Sequence, residues 1–365
     1  MKNLSRASAA LRLPQLSTTA RGSISISRSF HCSPLKSAIA HPITAHGPPP
    51  KAPVPSPEFE RRKKLAESME KGKEAQTEPS KPATALKKRF WKDVNVKKLP
   101  EGGYQVLLDT RPIRTPAKSI LTVPPTKPQL AHAIALEWDL LTSAQQALKN
   151  HRIPLTSITA RAEDIIREDA QGKTTTRDEI LKTAMRYLDT DTLLCWVPEK
   201  DMYDVEPTEE GGKRRETLRE LQMRVAQDII GFLTTEVWPG IEIKPILNAD
   251  SIMPVSQPQA TKDVIRGWIS GLPAYELAAL ERGVIAAKSL LVAVRLVVEW
   301  SENFRHLQRP GRKRFGIEEA AHAASLEVTW QTDRWGEVED THDVDKEDLK
   351  RQLGSVVLLV SGESR

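Results

Sequence analysis

Arg89-Phe-Trp-Lys-Asp-Val-Asn-Val96, Pro100-Glu-Gly-Gly103 and Tyr104-Gln-Val-Leu-Leu108 follow one another with only three residues between the first and second. The outer segments are β-branched and aromatic and the middle one is a turn, so together they predict a β-hairpin. A second pair, 112–115 and 120–123, is separated by residues 116–119 and predicts two more short strands. A helix opened by Thr126, with Pro128 in its first turn, comes next. Leu130, Ile134, Trp138 and Leu141 share one face of it, and Glu137 and Asp139 flank the tryptophan. A helix laid on a small antiparallel sheet buries both apolar surfaces, which sets a β-rich N-terminal domain at 86–148.

After Asn150 the periodicity turns helical almost throughout, predicting an all-α bundle over 149–365 and an α+β fold for the whole. Helices are expected to open at Thr156 or Ser157, at Thr176 (running through Leu188 and Cys195 to Pro198), at Leu218 and at Thr261. A long one follows Pro273, with Leu277, Leu280, Val284, Ala287, Leu291, Val294 and Val298 at three-four spacing and Glu281, Lys288 and Arg295 opposite. Residues 316–336 read as one Ala-rich helix with Ile317, Ala321, Ala324, Val328 and Trp335 on a face, ending on Trp335-Gly336. On it Glu327 lies above Ala323 and Ala324, with Arg334 two turns away, so its partner is expected from elsewhere in the chain. The stretch 356–360 fits either a helix or a strand.

The N-terminal 85 residues differ in kind. Residues 1–37 carry six basic residues and no acid, which accounts for the whole formal charge of +6. With its Ser, Arg and Ala content this is a mitochondrial transit peptide by composition, pointing to the matrix. Residues 38–85 are Pro-rich and then charged, a disordered tether with a short helix around 59–71. The formally neutral remainder argues against sequence-independent nucleic-acid binding. Insertion into a membrane is not expected, because the most apolar run, 289–300, is interrupted by Arg295.

No chemistry-bearing motif emerges. Gly172-Lys173-Thr174 lacks the leading glycine of a phosphate loop, and His132, His151, His306, His322 and His342 lack paired metal-ligand spacing. Asp189 and Asp191, two apart on a helix, diverge, and Asp191 reads as a hydrogen-bonding residue at the core edge. Cys195 would be alone in a mature chain and reads as a small core residue. Glu337, Glu339, Asp340, Asp343 and Asp345 form either a solvated acidic loop or a docking patch for a basic surface. No catalytic, cofactor-binding or metal residue is assigned.

Several stretches together resemble the mitochondrial assembly chaperones for the alpha subunit of the ATP synthase F(1) sector. They are Arg89-Phe-Trp-Lys-x-Val, Tyr104-x-Val-x-Leu-Asp-x-Arg-Pro, Glu137-Trp138-Asp139, Ile153-Pro-Leu-Thr, Tyr187-Leu-Asp-Thr-Asp-Thr and Leu326-Glu-x-x-Trp-Gln-x-x-x-Trp-Gly, with His342-Asp343. Ile153 stands where many members have Met, and Trp330 where Tyr is common. The resemblance implies a β-rich domain before a helical one, no enzymatic activity, no cofactor, and a role holding unassembled alpha subunit until it pairs with beta. On it Glu327 matches the acidic position of the Leu-Glu motif and Trp138 the tryptophan of Glu-Trp-Asp. Glu327 is grouped with its neighbours Trp330, Arg334 and Trp335 as the candidate partner-binding residues, and Trp138, Glu137, Asp139 and Asp191 are read as structural. The protein is expected to be a monomer when free. The competing reading is a matrix enzyme with a dispersed site in the interdomain cleft.

Overall fold

The computed structural model describes residues 88–198, 216–247, 254–308, 311, 313–338 and 341–363. The expected transit peptide, the tether with its short helix and the acids Glu339 and Asp340 lie outside the described residues.

Strands β1 (Val94–Lys98) and β2 (Tyr104–Leu108) form the expected hairpin, paired from Val94 opposite Leu108 to Lys98 opposite Tyr104. Its turn needs Gly102, whose φ of 96° lies in the left-handed region that side chains disfavour. Strand β3 (Arg111–Pro112) completes a three-stranded antiparallel sheet in the order β1-β2-β3. The expected fourth strand is reduced to isolated bridges, Arg114 with Ile120 and Tyr104 with Val123. Prolines at 112, 116, 124 and 125 remove ladder donors along this stretch, which leaves little to pair.

Helix α1 (Pro128–Asp139) packs on β1 and β2 through Leu130, Ala131 and Ile134. It begins after Lys127, and Thr126 makes no cap. Helix α2 (Pro154–Ala170) starts at Pro154, ahead of the expected Thr156, because proline suits the first helical position. The Gly172 turn (φ 68°) leads to α3 (Thr175–Leu188). That helix stops at Leu188 and does not reach Cys195. Asp191 therefore sits in extended backbone, capping the short 3-10 turn Thr192–Leu194, and is fully buried instead of lying at a core edge on a helix.

Helix α4 (Leu218–Phe232), capped reciprocally by Thr217 and Glu220, ends in a π turn over Leu233–Val237. Helix α5 (Gln259–Ser270) then leads to the centre of the molecule. The expected long helix after Pro273 is two, α6 (Ala274–Ala287) and α7 (Leu290–Trp300). Lys288 turns left-handed (φ 52°), and Ser289 Oγ accepts the Val292 N–H at 3.1 Å to restart the helix. Both remain apolar on nearly every side, since α2, α3, α7 and α10 (His342–Val360) surround α6. Gly283 permits the closest approach: a Cβ there would meet Ala293 Cβ at 3.1 Å and Val356 Cγ2 at 3.7 Å.

The Ala-rich stretch also divides, into α8 (Ile317–Ala324) and α9 (Leu326–Trp335). Ser325 leaves helical geometry (φ −115°, ψ 18°), and its hydroxyl donates to the Ala321 carbonyl at 2.8 Å, competing with the helical ladder. The stretch 356–360 is helical, as the end of α10. One apolar core runs from Trp91 through the bundle to Val360, crossing the boundary expected near residue 148. Among the described residues no helix is long and apolar enough to cross a membrane.

Candidate interaction surface

The residues expected to carry structure and those expected to meet a partner lie in different places. Glu137 Oε1 accepts the Leu155 N–H at 2.6 Å, and Oε2 accepts the Thr156 N–H and hydroxyl at 3.0 Å each. Helix α2 has no cap of its own at Ile153, so Glu137 from α1 satisfies its first free donors. Burial outweighs these hydrogen bonds and raises the Glu137 carboxyl to about 7. Trp138 Nε1 donates to Thr156 Oγ1 at 3.0 Å, and its ring meets Trp91 edge-on at 5.4 Å. Asp139 takes Arg89 at 3.4 Å on its carboxylate and at 2.9 Å on its carbonyl. Glu137-Trp138-Asp139 is thus a joint tying α1, α2 and the segment before β1.

Asp191 makes a second joint. Its Oδ1 accepts the Leu193 N–H and its Oδ2 the Leu291 N–H, both at 3.0 Å, so it shares the N-terminus of α7 with Ser289. Burial raises its carboxyl to about 6. Burial, with the charges of Asp191 and Glu327, also pushes the Cys195 thiol up, away from the reactive thiolate.

Two buried ionic sites are not marked in the sequence. Lys127, 2% exposed, donates from Nζ to the carbonyls of Val360 (3.0 Å) and Ser361 (3.1 Å) and pairs with Glu302 at 2.8 Å. Glu276, fully buried, accepts from Ser301 Oγ at 2.7 Å and Asn303 Nδ2 at 2.8 Å. Charged side chains normally read as surface, and nothing in their spacing distinguishes these.

Among the described α-helices α9 is the least absorbed by the fold, since it buries only Leu326. Glu327 is exposed and accepts from Gln331 Nε2 at 3.1 Å, so its partner is one turn along its own helix and not elsewhere in the chain. With the helix broken at Ser325, Val328 and Trp335 no longer continue the buried face of Ile317 and Ala321. Both are exposed, Trp335 by 73%. The Arg334 guanidinium lies 3.4 Å from the centroid of the half-buried Trp330 ring. The four expected partner-binding residues therefore share one short, solvent-facing helix. Beside it a cleft of about 920 Å³ opens between α9, the end of α6 and the start of α10. A smaller one of about 460 Å³, between α4, α7 and α8, holds Arg295, which pairs with Glu299 and packs 3.8 Å from the Phe232 ring centroid. Neither cleft is lined by a residue before Val225. Among the described residues no group of three or more His, Cys, Asp or Glu is placed to hold a metal ion.

Residues 88–234 match the family described as "ATP12 chaperone protein". The chain is 34% identical over 273 residues to "Protein atp12, mitochondrial" of Schizosaccharomyces pombe, spanning 74% of this chain and 81% of that one. It is 32% identical over 281 residues to "Protein ATP12, mitochondrial" of Saccharomyces cerevisiae, spanning 74% and 82%. Among solved structures it is similar in fold to the Atu1473 protein of Agrobacterium tumefaciens, with a TM-score of 0.52 and 22% identity over 78% of this chain and 92% of that one.

Proposed function

The chain belongs to the ATP12 chaperone protein family, and from that premise we propose that it holds the unassembled alpha subunit of the mitochondrial ATP synthase F(1) sector, without ATP, until alpha pairs with beta. The relatives' names support a mitochondrial protein, and the basic, acid-free residues 1–37 support import to the matrix. The observation that carries the reading is the exposure of α9. A short helix that buries one leucine and presents Trp335, Val328 and Glu327 to solvent contributes little to its own fold and offers aromatic and apolar area to another protein. We assign Glu327, Trp330, Arg334 and Trp335 to the client-facing surface. Glu137, Trp138, Asp139 and Asp191 are the frame: Glu137 and Trp138 join the proposed domains 86–148 and 149–365, Asp139 braces the first and Asp191 the second.

Holding such a client requires no nucleotide. Burying a subunit interface against a complementary surface is reversible, and arrival of the correct subunit supplies the free energy of displacement. The reading has no catalytic step. It is tested by affinity capture from a matrix extract with the full chain as bait: alpha retained without beta supports it, and no retention of alpha contradicts it.

A further inference from the structure

We propose that the cleft between α6, α9 and α10 seats a basic amphipathic helix of a protein partner. The inference rests on the reading that this end of the molecule is an interaction surface, and adds the chemistry of what it takes. Its floor is apolar: Ile285 and Ala286 come from the last turn of α6, Ala324 and Val328 from either side of the Ser325 break, and Leu349 from α10. Ile285 and Val328 are 48% and 45% exposed, an uncovered pair that the fold does not use.

The rim has the opposite character. Asp333 stands on α9, Glu337 just past its end and Asp345 on α10, and none of them makes an ion pair among the described residues. Asp348 is already taken by Arg351 and Gln352. Lys288 and Lys346 offset only part of this charge.

An apolar floor between carboxylates that make no ion pair among the described residues complements a helix with an apolar stripe at three-four spacing flanked by Lys or Arg. The same rim repels nucleic acid and acidic peptides. A small apolar ligand would use the floor but leave the carboxylates without a role. The division into α8 and α9 opens this side of the cleft, because a continuous helix would carry Val328 onto the face of the buried Ala321. This explains why the sequence places Ala-rich packing and an acidic cluster side by side.

The test uses the full chain and two fluorescent helical peptides of about 18 residues, sharing one Leu/Ala stripe and flanked by Lys in one and Glu in the other. The Lys peptide should bind at least about tenfold more tightly than the Glu peptide, and its affinity should fall as salt rises. Val328→Asp and the pair Glu337→Lys/Asp345→Lys should each weaken it by about tenfold, while Glu179→Lys, outside the cleft, should not. All these positions are exposed, and unchanged circular dichroism verifies folding. Equal binding of the two peptides overturns the proposal, as does indifference to the cleft variants. So does competition by a small apolar dye that displaces the peptide without sensing the charge reversals. Self-association that weakens peptide binding as protein concentration rises would assign the cleft to a second copy and likewise overturn it. Capture of alpha is scored separately: alpha retained by a chain that fails the peptide test sinks this inference and leaves the proposed function standing.

Discussion

Glu137 Oε2 receives both the backbone N–H and the hydroxyl of Thr156, each at 3.0 Å, so one carboxylate oxygen from α1 closes the N-terminus of α2. Thr156 Oγ1 also accepts from Trp138, which makes the adjoining motif residues parts of one hydrogen-bonded unit. Glu137→Ala leaves three donors without their acceptor and should lower stability by about 2–3 kcal/mol. Thr156→Val should cost about 1 kcal/mol. Urea unfolding curves measure both, and a neutral Glu137→Ala would mean that water caps α2 equally well.

The same carboxylate gives a pH dependence with a definite sign. Burial raises Glu137 from 4.5 to about 7 and Asp191 from 3.8 to about 6, so between these limits the folded chain holds more protons than the unfolded one. Their contribution is fully present below the unfolded values and is lost as pH rises through the folded ones. Stability from these two groups should decline from about pH 4 to about pH 7 and then level off. Glu137→Gln should flatten the upper part of that decline, between about pH 6 and 7. A wild-type decline unchanged by the substitution would assign the slope to other groups.

Lys127 is a structural cation. Lys127→Met strands the half of Glu302 that faces it and two carbonyls at the end of α10, and should destabilise by about 3–5 kcal/mol. Adding Glu302→Gln should recover part of the loss, because the uncompensated charge is gone. A double variant no better than the single one would contradict the buried-pair account.

Substitutions on α9 should separate binding from folding. Glu327 is exposed and accepts a hydrogen bond from Gln331, and Trp335 is largely in solvent, so Glu327→Lys and Trp335→Ala should change stability by less than about 0.5 kcal/mol. Each should nevertheless reduce alpha capture by about tenfold, the scale of an interface anchor. Unchanged assembly with a lowered melting temperature would make the helix structural instead.

How far the sequence disclosed this molecule depends on the residue. The hairpin was legible because β-branched alternation and Gly102-Gly103 are local signals, and the helical faces because their apolar spacing is local too. Helix breaks were not. Lys288 and Ser325 interrupt helices whose hydrophobic spacing continues across the interruption, so periodicity alone joins α6 to α7 and α8 to α9. The helical spacing sets Asp191 at the edge of the core, whereas its full burial beneath the α7 N-terminus depends on Leu291, a hundred positions along the chain. Lys127 and Glu276 carried no signal, since a buried charge is defined by partners distant in sequence. For the candidate surface, α9 was found through the resemblance of its Leu-Glu and Trp-Gly motifs. The cleft beside it was not, because it exists only where Ser325 turns the chain.

Aggregation of purified alpha subunit, followed by light scattering with ATP absent, tests most directly whether this chain holds alpha without nucleotide. Adding the chain in equimolar amount should suppress the scattering, and adding beta should then draw alpha into assembled complex. Alpha that aggregates at the same rate with and without the chain would contradict the account.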